Sequence, residues 1–103
     1  MKIRRVFDWH AIADFAPIEV EIKKSIDFIT AASKLESVYG PYGTYKPTTG
    51  LLSDTKSELV RQSKANVKWY VHDGSALARL GSNHNTLYLT SEDQLTYLQM
   101  ITK

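Results

Sequence analysis

Three histidines, His10, His72 and His84, are the only side chains of this chain that titrate near neutrality without perturbation, so acid/base or metal chemistry would have to start from them. None stands at metal-ligand spacing, and His72 and His84 fall beside turn residues, where solvated polar side chains are expected. No cysteine is present, which removes thiolate ligands and disulfides and fits a reducing, cytoplasmic setting. The serines lack any nucleophile-elbow pattern. Gly40-Pro41-Tyr42-Gly43 is no phosphate loop, because its proline and tyrosine interrupt the run of free backbone N–H groups such a loop needs. The residues predict a non-enzyme with no cofactor and no metal.

What remains is a combination of cations and tyrosines. Asp73-Gly74 is a two-residue hairpin signal between Val67–His72 and Ala76–Leu80, and Ser82-Asn83-His84-Asn85 is a second turn before Thr86–Thr90. The resulting meander sets Val67, Trp69, Val71, Leu80, Leu87 and Leu89 on one apolar face. Lys68, Arg79 and Tyr88 then form a row on the other, with Tyr70 close by. Two opposed cations on a bare sheet are mildly destabilising, so the row predicts an anion, an acidic partner or an acidic neighbour such as Glu19 or Glu21. Residues 39–50 have the turn composition of a long surface loop and carry Tyr39, Tyr42 and Tyr45 beside Lys46. Tyrosine offers large contact area at low entropic cost, which makes this a candidate recognition loop. The candidate partner-binding set is therefore Lys68, Tyr70, Arg79, Tyr88, Tyr42, Tyr45 and Lys46.

The elements that must position this set follow from periodicity. Residues 18–23 alternate apolar and charged strictly, which reads as a half-buried strand starting after Pro17. Ile18, Ile22, Ile26 and Ile29 also fit the stripe of a long helix beginning at Pro17; the alternation favours the strand. Ser25 is placed to cap a helix over 25–39, with Ile26, Ile29, Ala32 and Leu35 inward and Gly40 as its stop. Thr55-Lys56-Ser57-Glu58 and Ser91-Glu92-Asp93-Gln94 have the form of capping boxes and predict helices over 55–64 and 92–102. Residues 2–7 read as a short edge strand in which Arg5 interrupts the Ile3/Phe7 face.

The predicted fold is a single α+β domain over 1–103, a two-layer sandwich. Its mostly antiparallel sheet comprises 2–7, 18–23, 67–72, 76–80 and 86–90, and helices cover one face. At 103 residues one core is expected, and 43% hydrophobic with 23% charged residues lie near globular averages, so disorder is not indicated. No apolar run approaches the roughly twenty residues of a membrane span. A net charge of +2 is too small to argue nucleic-acid binding by itself. The expectation is an interaction or regulatory domain binding an acidic protein surface, with homo-oligomers compatible. A single-stranded RNA or DNA binder using the same row, its tyrosines stacking on bases, is the alternative.

Ile18-Glu19-Val20-Glu21-Ile22-Lys23-Lys24-Ser25-Ile26-Asp27-Phe28-Ile29 resembles the strand-to-helix opening of the T-even phage translational repressors, which are RNA-binding proteins. The likeness covers 12 of 103 residues. It implies a small phage-type regulator and carries over no functional residue, since the family's later cysteine- and histidine-containing segment has no counterpart in a chain without cysteine.

Overall fold

The computed structural model describes residues 1–6, 11–46, 52–77 and 84–102. Its order is β1 (Lys2–Arg5), a 3-10 turn (Ala11–Asp14), β2 (Ile18–Glu21), α1 (Ser25–Tyr39), β3 (Gly43–Tyr45), α2 (Leu52–Lys64), β4 (Trp69–His72), β5 (Thr86–Leu89) and α3 (Glu92–Ile101). The strands form one five-stranded sheet in the order β1-β2-β5-β4-β3, antiparallel throughout except for β3 with β4. The α+β class and the mostly antiparallel sheet hold, and residues 18–21 are a strand, as their alternation demands.

The meander does not form as predicted. Asp73-Gly74 does make a turn, with the Ser75 N–H donating to the His72 carbonyl (3.0 Å), but the chain then leaves the sheet. Both sides of β4 are already taken, by β5 in the register Trp69↔Leu89, Tyr70↔Tyr88, Val71↔Leu87 and by β3 in the register Gly43↔Tyr70, Thr44↔Val71. No slot beside β4 is left for a strand over 76–80; of that segment Ala76 and Leu77 lie in a turn, and residues 78–80 fall outside the described residues. A tight turn reverses the chain, but ladder partners are decided by burial.

The helices cover both faces rather than one. On the first, α1 and α3 pack Phe28, Ala31, Ala32, Leu35, Leu95 and Leu98 onto Ile18, Val20, Trp69, Val71, Leu87 and Leu89. On the second, Leu59 of α2 joins Ile12 and Ala16 over Tyr45, Tyr70 and Tyr88. The buried stripe of α1 is Phe28/Ala31/Ala32/Leu35, at i, i+3, i+4, i+7, because the large Phe28 sets the face; Ile26 and Ile29, predicted inward, are exposed. Lys24, not Ser25, is the N-cap of α1 and makes no side-chain cap bond, while Ser25 Oγ accepts from Asn85 Nδ2 (3.1 Å). Helix α2 begins at Leu52, three residues before the predicted capping box. Ser91 does cap α3, accepting from the Gln94 N–H. The buried Gln94 side chain also accepts from the Thr90 N–H (2.8 Å) and donates to the Lys68 carbonyl (2.9 Å), tying α3 to the ends of β5 and β4.

Candidate functional site

Strand pairing lines up one row across the whole sheet: Arg4, Glu19, Tyr88, Tyr70 and Gly43. Tyr88 thus stands between Glu19 and Tyr70 in the ladder; Arg79, predicted as its neighbour, lies outside the described residues. The tyrosines expected on an open face are covered, Tyr70 being 1% exposed, Tyr88 2% and Tyr45 3%. The Tyr45 and Tyr88 rings meet edge to face at 5.1 Å. Burial pushes the Tyr45 hydroxyl up to about 12, opposed by a backbone hydrogen bond with Ile12. Burial also raises Tyr88, helped by the charge of Glu19. These are neutral core phenols, held by the apolar side chains of Ile12, Ala16 and Leu59.

The segment expected to be a recognition loop is largely structural within its described part, 39–46. Gly40 has φ 91°, the left-handed region that favours glycine, and its N–H closes α1 on the Glu36 carbonyl. Its carbonyl accepts from Trp69 Nε1–H at 2.9 Å. Tyr42 packs on the Trp69 ring, centroids 5.2 Å apart, and Gly43–Tyr45 is the parallel strand β3. Lys46 and Lys68 are both exposed, but Lys46 follows β3 while Lys68 precedes the parallel β4, so they sit at opposite ends of the sheet. The structure therefore brings Tyr45, Tyr70 and Tyr88 together in a core and leaves the two lysines apart.

The exposed cations that do converge lie on β1, where every residue of Lys2-Ile3-Arg4-Arg5 is exposed. Lys2, Arg4, Glu19 and Glu21 line a shallow cleft of about 190 Å³ on the sheet face that carries Tyr88. Arg4 bridges to Glu19 at 3.0 Å, and Arg5, on the opposite face, to Glu92 in the first turn of α3 at 2.6 Å. Lys2 faces Glu21 in the ladder without an ion pair among the described residues. The sequence predicts an edge strand over 2–7 but none of its cations enters the candidate partner-binding set, because a short strand with a broken apolar face carries too weak a periodic signal to fix which side its charges face. Its clue was the charge pattern, Lys2 and Arg4 at the spacing of Glu19 and Glu21.

His72 gives the fold a pH response. His72 Nδ1 accepts from the Gly74 N–H (2.8 Å), so it is unprotonated there. The same atom lies 3.6 Å from Asp73 Oδ1, an ion pair only if it gained the proton that would forfeit the Gly74 bond. Burial holds the His72 pKa below its ordinary value, against the pull of Asp73 and with the stacked His84 ring adding to the depression. A lowered folded pKa means the unfolded chain binds the proton first, so stability should fall as pH drops below about 6.5. His72→Asn, whose side-chain oxygen can take the same turn bond without titrating, should shrink that loss. Urea midpoints at pH 7.5 and 5.5 check this; identical pH dependence in both proteins would remove His72 as its source.

Among the described residues no three His, Asp or Glu side chains are grouped as a metal site, and no helix is long and apolar enough to cross a membrane. His10 lies outside the described residues. Comparison with protein families, with curated proteins and with solved structures returned no match, so the likeness over residues 18–29 is joined by no wider one.

Proposed function

We propose that this chain is a non-enzymatic interaction domain that engages an acidic protein partner through β1 and the cleft beside it. One observation carries the reading: β1 is an outer strand, wholly exposed, and Lys2, Arg4 and Arg5 make it the most basic element of the sheet. Exposed cations on a rigid strand steer an acidic surface and set its register. The alternative, a single-stranded nucleic-acid binder of the phage-regulator kind, has less support. The bases would have to stack on exposed aromatic rings, and Tyr70 and Tyr88 lie in the core.

An acidic peptide and an oligonucleotide, each titrated at two salt concentrations, separate these readings. The domain should bind the peptide, and Lys2→Glu should weaken it about tenfold, since that lysine has no ion pair to lose among the described residues. Tighter oligonucleotide binding with a steep salt dependence would favour the alternative.

A further inference from the structure

The two edges of the sheet are finished differently. At β3 the outward N–H and C=O belong to Thr44, and the side-chain amide of Gln62 from α2 takes both: Thr44 N–H to Gln62 Oε1 at 2.6 Å and Gln62 Nε2–H to Thr44 O at 2.9 Å. That edge is closed.

At β1 the ladder parity leaves the edge open. The Val6 N–H donates to the Pro17 carbonyl, in line with the register Arg4↔Glu19 and Lys2↔Glu21, so residues 2, 4 and 6 direct their backbone groups toward β2. Ile3 and Arg5 direct theirs away from the sheet, and no described element meets them. A groove of about 530 Å³, lined by Met1, Thr96, Gln99, Met100 and Thr102, lies between α3 and Met1, which by alternation shares its face of the strand with Ile3. Arg5–Glu92 and Met1–Thr102 fix α3 alongside the strand at either end. On the opposite side stand Lys2 and Arg4.

We propose that the outer edge of β1 takes up an extended protein segment in which acidic and apolar residues alternate, adding a sixth strand to the sheet. The proposal rests on the acidic-partner reading and gives its mode of binding. Residues of the added strand opposite Lys2 and Arg4 share their face and must be acidic; those opposite Ile3 share the groove side and must be apolar. The inner edge of β1 already shows the pattern, being paired with Ile18-Glu19-Val20-Glu21. A second copy of β1 fits poorly, because antiparallel self-pairing sets Arg4 against Arg4, Lys2 against Arg4, or Arg5 against Arg5, depending on register.

The test uses the whole chain and a capped seven-residue peptide alternating valine and glutamate, with calorimetry as the readout. Ile3→Pro removes an N–H that faces outward and leaves the bonds of Lys2 and Arg4 to β2, so the fold should persist while peptide binding falls about tenfold or more. A scrambled peptide with contiguous glutamates, and one N-methylated on alternate residues to block the pairing edge, should lose as much. Slowed amide exchange at Ile3 and Arg5 should accompany binding of the alternating peptide. If circular dichroism shows Ile3→Pro unfolded, the N-methylated peptide on the parent protein decides. Equal affinity for alternating, scrambled and N-methylated peptides would overturn strand addition and leave the acidic-partner reading standing. No affinity for any of these acidic peptides would overturn both. A concentration-dependent dimer in which Ile3 and Arg5 are protected without peptide would give the edge to a second copy.

Discussion

Trp69→Ala should cost roughly 3–5 kcal/mol, a large-to-small truncation in a packed core. Trp69 is 0% exposed, sits on β4 against α1 and α3, and packs against the tilted ring of Tyr42. Its Nε1–H is also the donor that holds the Gly40 carbonyl, so the truncation frees the turn between α1 and β3 as well as opening a cavity. Against a typical total stability of about 5–15 kcal/mol, that loss is a large fraction of the whole and unfolds much of the population if the parent lies near the lower end. Trp69→Phe separates the two contributions: it keeps most of the ring contacts, and the loss should drop toward the roughly 1 kcal/mol of one hydrogen bond plus a smaller cavity. Urea denaturation followed by circular dichroism measures both. A midpoint unchanged by Trp69→Ala would mean the ring is not a core side chain.

Gly43→Ala should destabilise by roughly 1–3 kcal/mol although it adds a single methyl. A Cβ built at Gly43 would lie 2.7 Å from the Tyr70 ring and closer still to Gln62 Oε1. Neither neighbour yields easily. Tyr70 is buried between Tyr88 in the ladder and the Ile12/Leu59 cluster, and the Gln62 amide is fixed by its two bonds to Thr44. The substitution therefore either separates β3 from β4 or breaks the Gln62 clamp on the edge. Combining Gly43→Ala with Gln62→Ala tells these apart: a double variant more stable than the sum of the single losses places the clash at Gln62, and strict additivity places it at Tyr70. Full parental stability in Gly43→Ala would contradict the close approach of β3 to α2.

By itself the sequence determined the local elements. Strict alternation made 18–21 a strand, Gly40 ended α1, and Ser91 capped α3, because each depends on a few neighbouring residues and their φ/ψ preferences. It also placed Trp69, Val71, Leu87 and Leu89 on one face, since side-chain alternation within a strand does not depend on which strand lies next to it.

Tertiary structure decided the partners of those strands and the fate of their second face. A turn at Asp73-Gly74 is local, but whether β4 pairs with the segment just after it or with β5 depends on the total apolar area buried, a sum over distant residues. One signal for the second layer was already written in the chain. Trp69-Tyr70-Val71 and Leu87-Tyr88-Leu89 contain no charged residue, the pattern of strands covered on both sides, whereas Ile18-Glu19-Val20-Glu21 alternates and keeps one side open. The cover comes from Ile12, Ala16 and Leu59, whose individual hydrophobicity gives no hint of their target. The open edge at β1 was hidden for the same reason. Which backbone groups of Ile3 and Arg5 face outward depends on the parity of pairing with β2, and which edge is closed depends on where α2 sets Gln62, so only the assembled sheet distinguishes the two.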